Sequence, residues 1–313
     1  MKPGKKPKVI VIAGPTASGK TALSIELAKK IEGEIISSDS MQIYQDMNIG
    51  TAKVTKEEMQ GIKHYLIDFV SPDKRYSVSD FKTDSQNAIS DILKKGKIPI
   101  VAGGTGLYVD SLIYGIEYPV MELDETYREE LMKQAKTPEG LQNLYEQAKK
   151  IDEQAISKIS PNDKKRIIRI LEIYRATGKN KTDQEKISRK NGVKYDFIVF
   201  AIDMERQKLY ERINLRVDKM VEKGLVEEVK QLKEKYQHFP TAMQGLGYKE
   251  VVEYLEQKCT YEEMVEKIKQ ETRRYAKRQL TWFRKNKQTI WLKAEDGVAK
   301  NVEIILSAIE REE

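Results

Sequence analysis

The chain carries one cysteine, Cys259, among 313 residues. A single thiol excludes an internal disulfide framework and any cysteine-rich zinc site. Histidine is nearly as scarce: His64 and His238 show no metal-ligand spacing and are read as structural. No segment approaches the ~18 consecutive apolar residues of a membrane span, so no membrane partner is expected. The start, Met1-Lys2-Pro3-Gly4-Lys5-Lys6-Pro7-Lys8, is basic, but a strand pattern follows it in place of the apolar core and small-residue cleavage site of a secretion signal. Internal repeats and low-complexity tracts are also lacking. These absences lead to the expectation of a soluble cytoplasmic protein, long enough for one large domain or two unequal ones.

Charge is plentiful. Lys and Arg number 56 against 49 Asp and Glu, a net +7. A basic balance alone is a weak pointer to nucleic acid, but its distribution says more. The run Arg273-Arg274-Tyr275-Ala276-Lys277-Arg278-Gln279-Leu280-Thr281-Trp282-Phe283-Arg284-Lys285-Asn286-Lys287 has no acid and interleaves aromatics, and Lys164-Lys165-Arg166-Ile167-Ile168-Arg169 is a second cluster. Such runs are often a solvated helix face.

The strongest motif is Gly14-Pro15-Thr16-Ala17-Ser18-Gly19-Lys20-Thr21, which meets G-x-x-x-x-G-K-[ST] at every defined position. It follows the β-branched run Val9-Ile10-Val11-Ile12 and precedes a helix-forming run at 22–31. Glycines let successive N–H groups face an anion, and the helix N-terminus adds partial positive charge. Lys20 supplies a point charge to phosphate, and the Thr21 hydroxyl suits a magnesium ion (Mg2+). The loop predicts a grip on a diphosphate or triphosphate without saying whose.

Apolar strands are predicted at 9–13, 34–37, 65–67 and 98–102, with a helix at 78–94 capped by Ser77 or Ser79. The alternation implies a parallel sheet. From 124 to 177 only helical periodicity appears, and 179–191 reads as a polar, lysine-rich loop. Strand character returns at 195–202. Helical runs follow at 209–236 (turned at Gly224) and 261–287, then a strand at 288–292 and a helix at 298–310. The expected fold is α/β: a P-loop NTPase-like parallel-sheet core over residues 1–118 and 195–313, with an all-helical insertion at 119–194.

Two further segments lie at predicted C-terminal strand ends, where ligand crevices form in open α/β sheets. The first is Asp39-Ser40-Met41-Gln42-Ile43-Tyr44, in which Asp39 could link to a metal, act as general base, or simply cap a turn. The second is Gly103-Gly104-Thr105-Gly106-Leu107-Tyr108, whose glycines allow close backbone approach and put a hydroxyl in the crevice. No acid ends that strand, which argues against an ordinary nucleoside triphosphatase.

These segments, with the phosphate loop, Asn162-Asp163-Lys164-Lys165-Arg166-Ile167-Ile168-Arg169-Ile170-Leu171-Glu172, Gly245-Leu246-Gly247-Tyr248-Lys249-Glu250 and Arg278-Gln279-Leu280-Thr281-Trp282-Phe283-Arg284, follow one another as in bacterial tRNA dimethylallyltransferases, which the sequence resembles over nearly its whole length. Met41 and Ile170 fill positions at which that family varies. The resemblance implies transfer of a dimethylallyl group from dimethylallyl diphosphate to the exocyclic amine of the adenosine 3′-adjacent to a tRNA anticodon, by a monomer whose helical insertion binds tRNA. It implies that Lys20, Thr21 and the backbone of Thr16, Ala17, Ser18 and Gly19 hold the diphosphate. Thr105 would bond the bridging oxygen, and Asp39 would take the amine proton, with Ser40, Met41 and Gln42 on the target base. One of Arg212 and Arg216, four apart on a helix, would reach the diphosphate. Residues 165–169 and 245–250 would contact the anticodon stem-loop. Trp282, Phe283 and Tyr248 are candidates to stack an unstacked base, or are simply core. An adenylate isopentenyltransferase and a small-molecule P-loop kinase are the competing readings.

Overall fold

The computed structural model describes residues 6–118, 124–188 and 192–311. The basic start at 1–5, the expected boundary at 119 and the stretch 189–191 lie outside the described residues. Six strands form one sheet: β1 Lys8–Ala13, β2 Gly33–Ser37, β3 His64–Tyr65, β4 Ile98–Gly103, β5 Asp196–Asp203 and β6 Ile290–Lys293, in the order β3-β2-β4-β1-β5-β6. Every pair is parallel. A parallel sheet must be covered on both faces, which explains the uninterrupted apolar runs of its strands. In β1, Val9, Val11 and Ala13 pack with Phe81, Ile89 and Tyr108, while Ile10 and Ile12 pack with Leu23, Leu27 and Ile305.

The strand expected at 65–67 stops at Tyr65 because Leu66 and Asp68 have φ of 57° and 56°. Left-handed backbone turns away from the ladder. Helix Val78–Lys94 starts where the sequence put it, with Ser77 and Asp80 closing a reciprocal cap. Helices Arg206–Glu222 and Leu225–Lys235 are divided at Gly224, whose φ of 94° a side chain would strain.

The chain divides into two compact units, Met1–Ile113 with Lys194–Glu313, and Tyr114–Val193. The second is helical, its core built from Leu131, Leu144, Ile156, Ile167, Ile168 and Leu171. Part of the polar stretch read as a loop is instead helix Lys181–Ser188. Its anchor is distant in sequence: the Asp152 carboxylate accepts from the Thr182 N–H and hydroxyl, both at 2.7 Å.

Between β2 and β3 the chain has little regular structure, yet residues 39–54 are firmly held. Ile43, Tyr44 and Met47 pack against Val217, Val229 and Ile268. The buried Glu228 carboxylate accepts from the backbone N–H of Asn48 (2.9 Å), Ile49 (2.7 Å) and Gly50 (3.1 Å) and from the Tyr248 hydroxyl (2.7 Å). A methyl group at Gly50 would lie 2.5 Å from the Tyr248 ring, so glycine is required there. Replacing Glu228 by alanine orphans four donors and is expected to cost about 2–4 kcal/mol in urea unfolding, against a smaller loss for Glu228→Gln. A loss for the alanine variant below about 1 kcal/mol, the worth of one ordinary hydrogen bond, would show that the loop is held elsewhere.

Candidate active site

Strand β1 lies between β4 and β5, and the chain leaves it toward β2 on one side while β5 and β6 lie on the other. The C-terminal edge of β1 is therefore a topological switch point, where open α/β sheets hold ligands. The loop 14–19 opens there. Gly14 (φ 143°), Ala17 (φ 63°) and Gly19 (φ 97°) give it the left-handed turns of an anion cradle. Helix Lys20–Lys30 begins at once, and Gly19 offers no side chain to its first N–H groups. The buried Ser18 hydroxyl has no partner among the described residues and lines the cradle. These free donors suit an anion's oxygens.

The Lys20 ammonium donates to the Pro15 carbonyl at 2.6 Å. Burial, reinforced by the neighbouring charge of Arg216 and opposed by Asp39, pulls its pKa down from 10.5 to about 7. Burial also lowers that of Arg216, against the pull of Asp39 and Glu58. Both Arg212 and Arg216, one turn apart on helix Arg206–Glu222, line the cradle, so the structure brings both arginines to the loop that sequence could not choose between. Lys20 and Arg216, two partly buried cations beside one loop, are an unfavourable arrangement that an anion relieves.

Beside the cradle is a cavity of about 300 Å³ lined by Lys20, Thr21, Ser37, Asp39, Gln42 and Arg216, among others. Asp39 Oδ1 accepts from the N–H groups of Met41 (2.9 Å) and Gln42 (3.3 Å), so the turn-capping reading is realised and the carboxylate is fixed within the cavity wall. The Gln42 amide donates to the carbonyls of Thr51 and Ala52, both at 3.2 Å. The Thr105 hydroxyl accepts from Ser40 N–H at 3.1 Å, which ties the glycine-rich loop to the Asp39 segment.

Sequence reasoning missed two residues of this wall. Gln279 accepts from Thr16 N–H (2.9 Å) and donates to Gly104 O (2.8 Å). Tyr275, one turn earlier, lines the same cavity, and burial with the Asp39 charge pushes its pKa up to about 12. The available signal was the uncharged Gln279 inside a basic run. His64, read as structural, bonds the Ile62 carbonyl and also lines the cavity. Because Thr16 N–H is taken by Gln279, that donor does not face an anion as expected.

Several residues expected on RNA lie elsewhere. Ile167 and Ile168 are fully buried in the helical core, since their positions fall on the apolar face of helix Lys164–Thr177; Lys165, Arg166 and Arg169 are accessible. Arg166 pairs with Asp163 and Arg169 with Glu172. In 245–250, Tyr248 serves Glu228, Glu250 caps Gly247 through its N–H at 2.8 Å, and Gly245 packs on Met41; Leu246 is half-buried and Lys249 exposed. Of the candidate base-stacking aromatics, Tyr248 and Phe283 are core, and Trp282 packs on Gly106 with its indole N–H on Asp110 at 2.9 Å. Among the described residues no cluster of three or more His, Cys, Asp or Glu could hold a metal, and no helix is long and apolar enough to cross a membrane.

A phosphate loop joined to a carboxylate and a hydroxyl loop, with no acid ending β4, defines a phosphate-loop enzyme of the group-transfer kind. The comparisons with known proteins make this particular. The IPP transferase family model matches residues 42–286, and an isopentenyl transferase model matches 7–74. The tRNA dimethylallyltransferase of Acetivibrio thermocellus is 50% identical over 305 residues, 96% of this chain and 97% of that one. The crystal structure of the full-length tRNA isopentenylpyrophosphate transferase of Bacillus halodurans superposes with a TM-score of 0.73 at 40% identity, covering 98% of each chain. A eukaryotic dimethylallyltransferase captured acting on tRNA gives 0.76 at 36% identity, over 92% of this chain and 74% of that one. The chain belongs to the tRNA dimethylallyltransferase (IPP transferase) family.

Burial brings the Lys20 pKa close to neutrality, at about 7. A bound diphosphate favours the charged form, so binding above neutrality should draw in a proton, and affinity should weaken by up to about tenfold per pH unit. Calorimetry at pH 8 in two buffers of different ionisation enthalpy should show this uptake in the native protein. Its persistence in Lys20→Met would assign the proton to another group.

Proposed function

We propose that the protein transfers the dimethylallyl group of dimethylallyl diphosphate to the exocyclic amine of the adenosine 3′-adjacent to the anticodon of tRNA, giving N6-(dimethylallyl)adenosine and diphosphate. The observation that carries this reading is the meeting of Asp39 and the Lys20–Arg216 cation pair in one cavity wall, in a chain of this family. A general base and an anion grip side by side suit the replacement of a C–O bond by a C–N bond.

In the step, the amine nitrogen attacks the allylic carbon, the diphosphate leaves with the bonding pair, and Asp39 accepts the amine proton. Lys20, Arg212, Arg216 and the N–H groups of Ala17, Gly19, Lys20 and Thr21 neutralise charge that grows on the leaving group, the kind of preorganised electrostatics that dominates many enzymes. Thr105 donates to the bridging oxygen as the bond breaks. The Thr21 hydroxyl is a hard oxygen donor in the same wall and fits Mg2+, which would supply further charge neutralisation to the diphosphate. The adenine must leave its stack to reach the site, and an anticodon loop presents such bases. Ser40, Met41 and Gln42 would meet it, and Lys165, Arg166, Arg169 and Lys249 would meet RNA phosphates. We read the enzyme as a cytoplasmic monomer.

Purified protein should transfer labelled dimethylallyl to tRNA and not to AMP; equal labelling of AMP would favour an adenylate isopentenyltransferase. In the same assay Asp39→Asn should lower turnover by about 10²–10⁴-fold, the usual worth of a general base, with tRNA affinity retained. A defect confined to binding would remove that role. Replacing Arg166 and Arg169 by alanine should reduce the salt slope of tRNA binding by about one per lost phosphate contact. An unchanged slope would mean that these two arginines face away from the RNA.

A further inference from the structure

Two loops that end different strands must keep a fixed spacing: the phosphate loop after β1 and the Thr105 loop after β4. The backbones of these loops are joined by a side chain from a third element. Gln279, 5% exposed on helix Tyr261–Phe283, takes the Thr16 N–H on its oxygen at 2.9 Å and gives its own N–H to the Gly104 carbonyl at 2.8 Å. The fit is close, since a methyl group at Gly104 would fall 2.1 Å from Gln279 Nε2. Gly104 immediately precedes Thr105, whose own N–H goes to Ser38 O (3.2 Å) and whose hydroxyl meets Ser40 N–H.

We propose that Gln279 is a positioning residue for prenyl transfer, setting the distance between the diphosphate held by the phosphate loop and the Thr105 hydroxyl that assists its departure. The inference rests on the reading given under Proposed function. A carboxamide is the one neutral side-chain group of this length that carries both a donor and an acceptor in a planar fork. Glutamate would keep the acceptor for Thr16 and lose the donor for Gly104, whereas methionine would lose both. Because the amide spends the Thr16 N–H, it contributes to the geometry of the anion site and not to the count of donors on the anion. Its loss should therefore appear in turnover and leave anion affinity nearly intact.

The test compares kcat for tRNA prenylation with the dissociation constant for inorganic diphosphate in Gln279→Met, Gln279→Glu and Gly104→Ala, the last of which displaces the amide without removing it. Gln279→Met should lower kcat by about 10- to 100-fold, as small misplacements of reacting groups do, with diphosphate affinity within roughly threefold of the native protein. Gly104→Ala should show the same split, so the test stands even if the methionine variant fails to give a native melting transition, while Gln279→Glu should lower kcat and, through its added negative charge, weaken diphosphate binding as well. In a Thr105→Val background, Gln279→Met should cost less than about threefold more, because two residues acting through one contact are not additive. Fully multiplicative losses, or diphosphate affinity falling in step with kcat in Gln279→Met or Gly104→Ala, would overturn the proposal. A native protein that binds diphosphate but prenylates no tRNA would instead overturn the function on which it rests.

Discussion

Everything at the site is arranged around a concentration of positive charge with little water to support it. Lys20 and Arg216 stand side by side at the end of the central strand, both pulled below their ordinary proton affinities by burial. Left alone, such a pair costs stability, and the fold tolerates it because apolar packing on both faces of β1 supplies the surplus. An anion repays the cost on binding, so part of the binding energy is stored in the empty protein as unsatisfied electrostatics. Asp39 contributes the compensating negative charge, close enough to act on both cations.

The segments that make up the family resemblance do different work. Residues 16–21 with Gly103 and Gly104 line the site directly, while the Thr105 hydroxyl sits on the Ser40 N–H beside it. Residues 245–250 act one layer behind: Tyr248 reaches Glu228, Glu228 gathers the N–H groups of 48–50, and the adjoining carbonyls of 51 and 52 hold the Gln42 amide. A motif can thus hold the wall of a cavity in place without lining the cavity itself. The exposed Lys249 is the member of that motif best placed to meet solvent or a polyanion.

Much of the core was legible because its determinants are local. The phosphate loop needs a strand, a glycine turn and a helix in immediate succession, and all three are written in residues 9–31. The caps at Ser77 and the break at Gly224 are equally local. What sequence reasoning missed was set by tertiary partners. Helix Lys181–Ser188 depends on Asp152, and the early end of β3 depends on left-handed turns at Leu66 and Asp68. Gln279 belongs to the site only because a helix near the end of the chain crosses loops made near its beginning. Ile167 and Ile168 were misread for the converse reason: a basic run was treated as a unit, although helical periodicity divides it between core and surface.

The place of β1 in the sheet has a consequence for how the molecule comes into being. Val9 pairs with Phe197 and Ile12 with Phe200, so one edge of the central strand is completed by residues synthesised long after it. In the interval the ribosome must deliver the whole of Tyr114–Val193, a unit with its own helical core. A nascent chain at that stage carries an apolar strand with one edge still open, a feature exposed to wrong association. The helical unit has an apolar core of its own, whereas the sheet is complete only once β5 has arrived beside β1.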